Sequence, residues 1–599
     1  MLLQYLFSQT TITLTIKDAD TKEPLPFCNV VIKGTSNGGI TNTDGKIKLT
    51  INSANDIIEI SFLGYETKLL KINELNNTNT IFLNKQNYIL SEIEVRADND
   101  YLYEIIEKCR KKMLKNNNKN VSKAYFSVET KSDDKILEFL ECYYNANLSG
   151  HKINSLDFKN GKTNLNTIEN SIFLSYNTSL SLQYLDLLNE KDYFFPSLIL
   201  QVDKYAAKRS YIVKEEERNE NYYLISFKPR KKRDKDNTFS GSLWIDKQNF
   251  DLLKIYLKID TTSIHPFETQ PFYNGISNVN LEITQTFNKQ ENTTTHNYFI
   301  FDYSFDYYSF GPFGRKLASK INSHSLLYFY DYEKPFVLPF FEYQNGDTDY
   351  QKMATFPYNK VFWDNAKSVL ITESQQKNYK LLNYSTLDTI YDYNSEGEYG
   401  VSFLSKMFKK ERTQVVEGLL NNHLKPMGVF LYSYVFWTKE DRLIIYEKPE
   451  QLLFTKTYGD HGSKFVVQLL LDITELEDSI HWQSFTIYDP TKSYFQDTIN
   501  QNLFACVNIY FDLCEIKRRE MDTELQQNHK TVKEITNIYN KYIKEIEDMR
   551  KQYFKEVNLG INFRILRRYN AIVKEKLDID NMAMFKDFYK QEEDKKKGE

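Results

Sequence analysis

The feature that most constrains the fold is a series of short alternating segments between residues 11 and 83. In the first segment, Ile12, Leu14 and Ile16 alternate with polar residues, which is the period-two pattern of a half-buried strand. Turn-forming residues separate the segments. Residues 42–45 (NTDG) predict a hairpin, because glycine supplies the positive φ that tight turns need. Six or seven short strands at this spacing predict an antiparallel β-sandwich.

The turn residues of this stretch follow one family pattern. The matching residues are Asp18, Thr21, Pro24, Leu25, Pro26, Asn29, Val30, Gly34, Thr35, Thr41, Asp44, Gly45, Gly64 and Tyr65. In these residues the stretch resembles the carboxypeptidase regulatory-like domain, a transthyretin-like sandwich found at the N-terminus of TonB-dependent receptors and other Gram-negative envelope proteins. The resemblance implies a sandwich over residues 10–97, an exported protein and no catalytic residues. Residues 90–95 (LSEIEV) resemble the segment that joins such a module to the next domain.

The first nine residues precede this module and include the apolar run Leu2 to Phe7. This run is shorter than a signal-peptide core, and no Lys or Arg precedes it. We interpret residues 1–9 as the remainder of a signal peptide, with a first strand or a frayed end as the alternative. The expected location is therefore exported, either periplasmic or associated with the outer membrane.

Composition limits the class of protein. A chain of 599 residues with 41% apolar and 26% charged residues is globular, and its length predicts several domains. The net charge is only −4 and the charges are interspersed, so no nucleic-acid partner is expected.

No apolar stretch is long enough for a transmembrane helix. The five cysteines, at 28, 109, 142, 506 and 514, form neither a zinc motif nor a disulfide framework, although a Cys109–Cys142 pair stays open.

A transmembrane barrel is not expected after the sandwich. Residues 98–114 place apolar side chains at a spacing of three and four, which predicts an amphipathic helix. A barrel would instead continue as evenly repeated alternating segments to the end of the chain, and 20 glycines are few for its turns. The predicted class is multidomain: β-rich first, then α+β, and ending in long helices.

We predict four regions after the sandwich. Residues 98–314 form a curved antiparallel sheet with a leading helix, and within it the hairpin of residues 241–259 resembles those of lipoprotein-carrier folds. An aromatic-rich connection, 315–380, follows. Residues 381–495 form an α+β domain with a helix at 412–424 and strands between 430 and 488. The helical region 496–599 carries an apolar seam at 532–553 that fits either an intramolecular helix hairpin or a dimer contact.

No catalytic, cofactor-binding or metal-binding residues are predicted, because the eight histidines form no HxH or HExxH motif and no phosphate-binding or nucleophile motif occurs. Four features allow a sharper interpretation. Asp18 and Asp20 could hold calcium, although a turn is favoured. The aromatic row from Phe299 to Phe305 could grip a sugar or lipid, although a core strand is favoured. The basic run 228–235 could contact an anionic lipid or polysaccharide, although a solvated loop is favoured. Glu515 and Arg519 could form a buried pair inside a cleft, although a surface ion pair is favoured.

Three functions follow as hypotheses. The first is a non-enzymatic envelope protein whose sandwich is an interaction module and whose sheet-rich body binds a protein, glycan or lipid. The second is a hydrolase with scattered active-site residues in 380–530. It requires a pocket that holds at least two of Asp460, His461, His481, Glu515 and Arg519. The third is an assembly protein that oligomerises through the 532–553 seam. The oligomeric state itself is left open.

Overall fold

The computed structural model describes residues 10–86, 99–375, 435–439, 465–527 and 530–584, with short gaps inside these ranges. The chain divides into two compact units. The first comprises Met1–Pro335 and Ala366–Ser385, and the second comprises Phe336–Asn365 and Thr386–Glu599. The predicted order, a small N-terminal β-region, a large central antiparallel sheet and C-terminal helices, is confirmed.

The first unit begins with a sandwich of two small sheets. Its strands are β1 (Thr10–Asp18), β2 (Asn29–Ile32), β3 (Gly38–Ile40), β4 (Lys46–Ile51), β5 (Ile57–Ser61), β6 (Lys68–Lys71) and β7 (Thr80–Leu83). One sheet has the order β4-β1-β7 and the other β3-β2-β5-β6. The core is formed by alternating residues such as Leu14, Ile16, Val30 and Ile60, as the sequence pattern predicts. One strand pair departs from the antiparallel pattern, since β1 and β7 run parallel.

The predicted hairpin at residues 42–45 is wrong in one respect. The tight turn does form: Asn42 Oδ1 accepts from the amides of Asp44 and Lys46, and Gly45 has a φ of +71°. However, the strands on its two sides, β3 and β4, belong to different sheets. The turn therefore carries the chain from one layer of the sandwich to the other. Local turn chemistry predicts the turn but cannot predict the pairing of the strands beyond it.

Helix α1 (Asp100–Lys115) follows and buries the predicted apolar face, including Leu102, Ile105, Ile106 and Cys109. It leads into a ten-stranded antiparallel sheet with the order β10-β9-β8-β19-β18-β17-β16-β15-β14-β13. The strands are β8 (Lys119–Ser132), β9 (Lys135–Ser149), β10 (Lys152–Leu165), β13 (Tyr211–Arg218), β14 (Tyr222–Pro229), β15 (Ser240–Asp246), β16 (Leu252–Thr262), β17 (Gly275–Lys289), β18 (Thr294–Gly311) and β19 (Gly314–Tyr330). Between β10 and β13 lie the short strands β11 (Thr167–Ile168) and β12 (Ser171–Ile172) and the helices α2 (Thr178–Tyr184) and α3 (Lys204–Ser210).

The stretch predicted as an aromatic-rich connection, 315–380, begins within the large sheet. Gly314–Tyr330 is a long strand paired with both β18 and β8. Gly311 and Gly314 are partners at the tip of the β18–β19 hairpin, so the glycines mark a turn within the sheet. The predicted hairpin at 241–259 is confirmed as β15 and β16.

The sandwich packs on one face of the large sheet, which we call the sandwich face. Phe27 and Ile40 of the sandwich contact the cluster formed by Tyr298, Ile300 and Leu326. The rings of Phe27 and Tyr298 are 5.4 Å apart. The opposite face of β18 carries the predicted aromatic row, and we call it the aromatic face. Alternation along β18 thus serves two different cores.

The second unit combines a small sheet with long helices. Its described elements are α4 (Lys360–Asn365), β20 (Val435–Phe436), β21 (Val467–Glu475), β22 (Ile480–Tyr488), α5 (Gln501–Leu525), α6 (Val532–Val557) and α7 (Phe563–Leu577). The three strands pair in the order β20-β22-β21. Helix α5 packs on this sheet with its buried residues Val507 and Phe511, and α6 and α7 complete the core. The other predicted elements of this region, at 412–424, 442–447 and 451–457, lie outside the described residues, as do residues 1–9 and 90–95.

The 532–553 seam is an intramolecular contact. Helices α5 and α6 form an antiparallel pair, because Tyr553 Oη donates to the carbonyl of Cys506 at 2.8 Å and Tyr542 Oη donates to Glu524 at 3.0 Å. The seam residues Ile535 and Tyr553 are fully buried in the same chain. Of the two arrangements that the sequence allows, the structure shows the intramolecular helix hairpin, which covers these seam residues within the chain.

Candidate ligand cavity

A cavity of about 240 Å³ lies where helix α1 ends against the large sheet. Three sheet segments meet the helix end there: the β9–β10 turn with Gly150 and His151, the β15–β16 turn at 250–252, and the facing ends of β17 and β18 with Phe287 and Thr294. Such a concave site between elements is a usual position for a small-ligand pocket, and its volume lies below the range of about 300–1,000 Å³ that pockets for drug-sized ligands occupy.

The cavity wall is basic on the helix side. Lys108, Lys112 and Lys115 follow each other at a spacing of four and three, so they share one face of α1. Lys112 Nζ lies 2.5 Å from Asp251 Oδ1, and Lys108 Nζ lies 4.8 Å above the ring of Phe250. Lys115 lines the cavity and makes no ion pair with any described residue. Lys112 and Lys115 therefore line the cavity together with one carboxylate, that of Asp251, whereas Lys108 lies over the ring of Phe250.

His151 connects the cavity to a buried carboxylate. Asp186 accepts from His151 Nε2 at 3.2 Å, from Lys152 Nζ at 2.7 Å and from the amides of Leu188 and Asn189. Burial alone would raise the pKa of Asp186, but these hydrogen bonds outweigh it and hold the pKa well below its usual range. Because an ionised carboxylate only accepts, His151 Nε2 carries the proton of this bond. His151 Nδ1 is buried and has no hydrogen-bond partner among the described residues.

A second histidine fixes the turn beside His151. His296 Nε2 donates to the carbonyl of Gly150, and His296 Nδ1 accepts from the side-chain amide of Gln285, each at 3.2 Å. Burial lowers the pKa of His296 to about 3, so this ring is neutral. Gly150 has a φ of +57°, and a Cβ there would lie 2.1 Å from the carbonyl oxygen of Asn116, so only glycine lets the turn reach the helix end.

The predicted calcium alternative at Asp18 and Asp20 is not supported by the geometry. Asp18 is buried and accepts from Tyr65 Oη at 2.6 Å and from the amides of Asp20 and Thr21. These hydrogen bonds, with that of Tyr65 the largest contribution, hold the pKa of Asp18 well below its usual range. Asp20 itself is exposed. Across the described part of the chain, no group of three or more His, Cys, Asp or Glu side chains could hold a metal.

The aromatic row lies in a core, which is the favoured interpretation. Phe299, Phe301, Tyr303 and Phe305 are buried, and the ring of Phe267 packs over three of them at 4.4–6.1 Å.

The five cysteines are buried free thiols, so Cys109 and Cys142 are not joined. Most of the basic run 228–235 lies outside the described residues.

Of the residues named in the hydrolase hypothesis, none that the structure describes lines the cavity. Asp460 and His461 lie outside the described residues. His481 is exposed and bonded to Ser479. Glu515 and Arg519 do meet, with Arg519 Nε 2.8 Å from Glu515 Oε1, but they do so within a network of charged groups on α5.

That network corrects the prediction of a surface ion pair. Glu515 is buried and also receives two hydrogen bonds from Arg518, at 2.7 and 2.8 Å, and one from Thr486. Burial would raise the pKa of Glu515, but the two arginines outweigh it and lower the pKa. Arg519 lies over the ring of Trp437 at 5.1 Å. The whole arrangement joins helix α5 to strand β22, which indicates a structural role.

Sequence reasoning missed the cavity altogether. Its residues come from one helix end and several sheet turns that are far apart in the chain. One local signal was present: the segment EKCRKKMLK places three lysines on one face at the end of a predicted helix. Lysines at a helix C-terminus also complement the helix dipole, so this signal alone does not distinguish a binding site.

Comparison with known proteins identifies the N-terminal region. A family model for the CarboxypepD_reg-like domain matches residues 12–95, so the chain carries an N-terminal carboxypeptidase regulatory-like domain. The same region is similar to the TonB-dependent receptor SusC of Bacteroides thetaiotaomicron, with 38% identity over 87 residues. That alignment covers 14% of this chain and 8% of the receptor. Both matches support a Gram-negative envelope context.

Solved structures resemble the chain only weakly. A DUF1329 family protein from Desulfovibrio piger aligns over 38% of this chain and 92% of its own length, with 9% identity and a TM-score of 0.16. A LolA superfamily protein from Nitrosomonas europaea aligns over 38% of this chain and 90% of its own length, with 12% identity and a TM-score of 0.15. Scores this low establish no functional relation. Among the helices that the structure describes, none has the length and apolar character needed to cross a bilayer.

Proposed function

We propose that the protein is a non-catalytic binding protein of the Gram-negative envelope, periplasmic or associated with the outer membrane. In this proposal the sandwich is an interaction module, and the large sheet with α1 holds a small ligand in the cavity. The observation that carries the proposal is the cavity itself, in which basic side chains of α1 face apolar side chains of the sheet turns. The N-terminal domain match supports the compartment.

The rigidity of the cavity wall supports binding. Gly150 is held to the sheet by His296 and to the loop before β8 by its amide, which donates to the carbonyl of Asn118 at 3.0 Å. Asp186 ties His151 to the segment after α2 through several hydrogen bonds. A site held in place before the ligand arrives loses less conformational entropy on binding.

The proposal is tested by native mass spectrometry of the full chain isolated from an envelope fraction. Met113→Trp fills the cavity from α1, whereas Leu114→Trp adds the same volume at the neighbouring exposed position, which does not line the cavity. We expect a bound small molecule on the wild-type protein and on Leu114→Trp, and its loss from Met113→Trp.

Fractionation provides the second measurement. A gene that includes the genomic sequence upstream of Met1 should yield the protein in the envelope fraction. Retention in the cytoplasm would contradict the proposed compartment. Equal ligand occupancy in both tryptophan variants, or none in any protein, would contradict the cavity as the binding site.

A further inference from the structure

We infer that the cavity selects a small monoanion with a short apolar body, such as a carboxylate on a hydrocarbon chain. This inference rests on the proposed function and specifies the ligand class of the same site. The polar part of the ligand would lie against Lys115, and the apolar part against Met113, Phe250, Leu252 and Phe287, all of which line the cavity.

The charge count favours an anion. Lys112 and Lys115 bring two positive charges to the cavity wall, and Asp251, paired with Lys112, removes one of them. The C-terminal end of the helix contributes roughly −0.5 of an elementary charge. The helix dipole therefore does not neutralise the surplus, and a net charge of roughly +0.5 remains at the cavity wall. A cationic ligand would be repelled.

The location of the unpaired charge favours a monoanion. Lys112 is already bound to Asp251, and Lys108 lies over the ring of Phe250 and does not line the cavity. Of the three lysines, Lys115 both lines the cavity and lacks an ion pair with a described residue. One carboxylate would give it a charge-assisted hydrogen bond, which is stronger than a neutral one.

The size and lining of the cavity favour a short apolar body. A volume of about 240 Å³ is too small for a whole diacyl lipid or an oligosaccharide, and it lies below the usual range for drug-sized ligands. Two phenylalanines, a leucine and a methionine supply an apolar wall, and methionine adapts its shape to different hydrocarbon groups. Burying such a body favours binding roughly in proportion to the apolar surface that it removes from water.

Three probes of similar size and different charge test the inference: hexanoate, hexan-1-ol and hexylammonium. Each is titrated into the full chain by calorimetry, while the methyl resonance of ¹³C-labelled Met113 is followed and assigned with a Met113→Leu variant. We expect hexanoate to bind at least about tenfold more tightly than hexan-1-ol, in line with the strength of a hydrogen bond between charged groups. Hexylammonium should bind most weakly.

Variants of α1 separate this site from a general charge effect. Lys115→Gln should reduce hexanoate affinity about tenfold and leave hexan-1-ol affinity unchanged, whereas Lys115→Arg should restore most of the hexanoate affinity. Lys111→Gln is the matched control, because it removes the same charge from the same helix at an exposed position that does not line the cavity. It should leave both affinities unchanged.

Two results would overturn the inference, and they are distinguishable from failure of the proposed function. Hexan-1-ol or hexylammonium binding as tightly as hexanoate, with a shift of the Met113 resonance, would disprove the anion preference but leave a ligand cavity in place. No binding of any probe and no shift of the Met113 resonance would disprove the ligand class. If an envelope molecule still bound in a Met113-dependent manner, the proposed function would nevertheless stand.

Discussion

On neighbouring strands of the large sheet, His296 in β18 and His324 in β19 face opposite sides and have opposite charge preferences. His296 lies on the aromatic face between two neutral partners, and burial lowers its pKa to about 3. His324 lies on the sandwich face, where its Nδ1 is 2.5 Å from Asp302. Burial lowers the pKa of His324, but the hydrogen bond and the charge of Asp302 outweigh it, so the net pKa is raised.

A bulge places His296 on the aromatic face. Gln285 of β17 pairs with Phe299, but two residues further on Phe287 pairs with His296, which leaves one extra residue in β18. Simple alternation from Tyr298 would put His296 on the sandwich face. The irregularity therefore moves a titratable ring into an enclosed core, where its neutral form is favoured.

On the sandwich face, charged side chains pair with one another across neighbouring strands. Glu282, Asp302, His324 and Glu129 stand opposite one another on four successive strands, and Lys258 forms an ion pair with Glu282 at 2.6 Å. Two acids directly opposite would repel, but Lys258 pairs with Glu282 and His324 pairs with Asp302. One sheet thus accommodates ionisable groups in two ways. On the aromatic face the group loses its charge, and on the sandwich face it pairs with a group of opposite charge.

The largest loss of stability is expected from removing a buried ring on the aromatic face. Phe301→Ala removes a fully buried ring and should destabilise the sheet by about 3–5 kcal/mol, because the cavity left behind cannot collapse completely. Native-state hydrogen exchange of the β18 amides measures the free energy of opening. Tyr205→Ala, at a side chain that is 72% exposed, is the control and should change it by less than about 0.5 kcal/mol. Similar values for both variants would contradict an enclosed core on this face.

Acid should weaken the sheet through His296. Below pH 6.5 the unfolded histidine binds a proton that the folded ring, with a pKa of about 3, does not, so stability falls as the pH falls. Between pH 6.5 and 5 the loss should be about 1.6 kcal/mol, since each pKa unit corresponds to about 1.36 kcal/mol and the unfolded histidine is already half protonated at pH 6.5. The electrostatic interaction with His151 also lowers the pKa of His296, in the same direction as burial.

The measurement is hydrogen exchange of β18 at several pH values, corrected for the intrinsic exchange rate. His296→Gln should flatten the pH dependence in this range, although the variant is less stable at neutral pH. A pH dependence that survives in this variant would assign the effect to other groups and weaken the contrast between the two faces.

Much of the sheet could be predicted from the sequence. The alternation in β18 predicts a buried aromatic row because it needs only local periodicity, and the spacing of α1 predicts its buried face for the same reason. Strand β19 was missed because glycines 311 and 314 read as the end of a sheet, whereas they form the tip of a hairpin. Turn residues indicate where a strand ends but not whether another strand follows.

The cavity and the buried charges could not be predicted from local patterns. His151 and Asp251 meet the end of α1 only because two sheet turns and the ends of β17 and β18 converge there. Glu515 lies in a segment, EIKRRE, that has the composition of an exposed helix surface, but packing of α5 on β22 buries it. Such features depend on which helices and strands pack against each other. No short segment of the sequence contains that information.

A smaller effect is expected at the contact between the sandwich and the sheet. The tilted pair Phe27 and Tyr298 should show a coupling energy of about 0.5–1.5 kcal/mol in a double-mutant cycle with alanine. Hydrogen exchange of the Ile40 and Val30 amides reports the stability of the sandwich. A coupling of zero would show that the sandwich does not dock through this pair, and the sandwich face would then be an ordinary solvated surface.

The smallest change in stability is expected at His324, and its pH dependence has the opposite sign to that of His296. Its folded pKa is raised, so its contribution to stability is fully present below the unfolded value near 6.5 and is lost as the pH rises through the folded pKa. The side chain keeps an exposed fraction of 41%, so solvent screens the pair and the contribution should be below about 1 kcal/mol. His324→Gln should therefore weaken the sheet slightly at pH 5.5 and not at pH 8.5, as measured by exchange of the β19 amides.

The charged neighbours of His324 define the outcome that would contradict this prediction. Asp302 and Glu129 favour the imidazolium, whereas Lys131 opposes it. If His324→Gln weakened the sheet more at pH 8.5 than at pH 5.5, the lysine and the burial would outweigh the two carboxylates, and His324 would be a neutral histidine like His296. The two faces would then treat histidine alike, and the bulge that displaces His296 would have no electrostatic consequence.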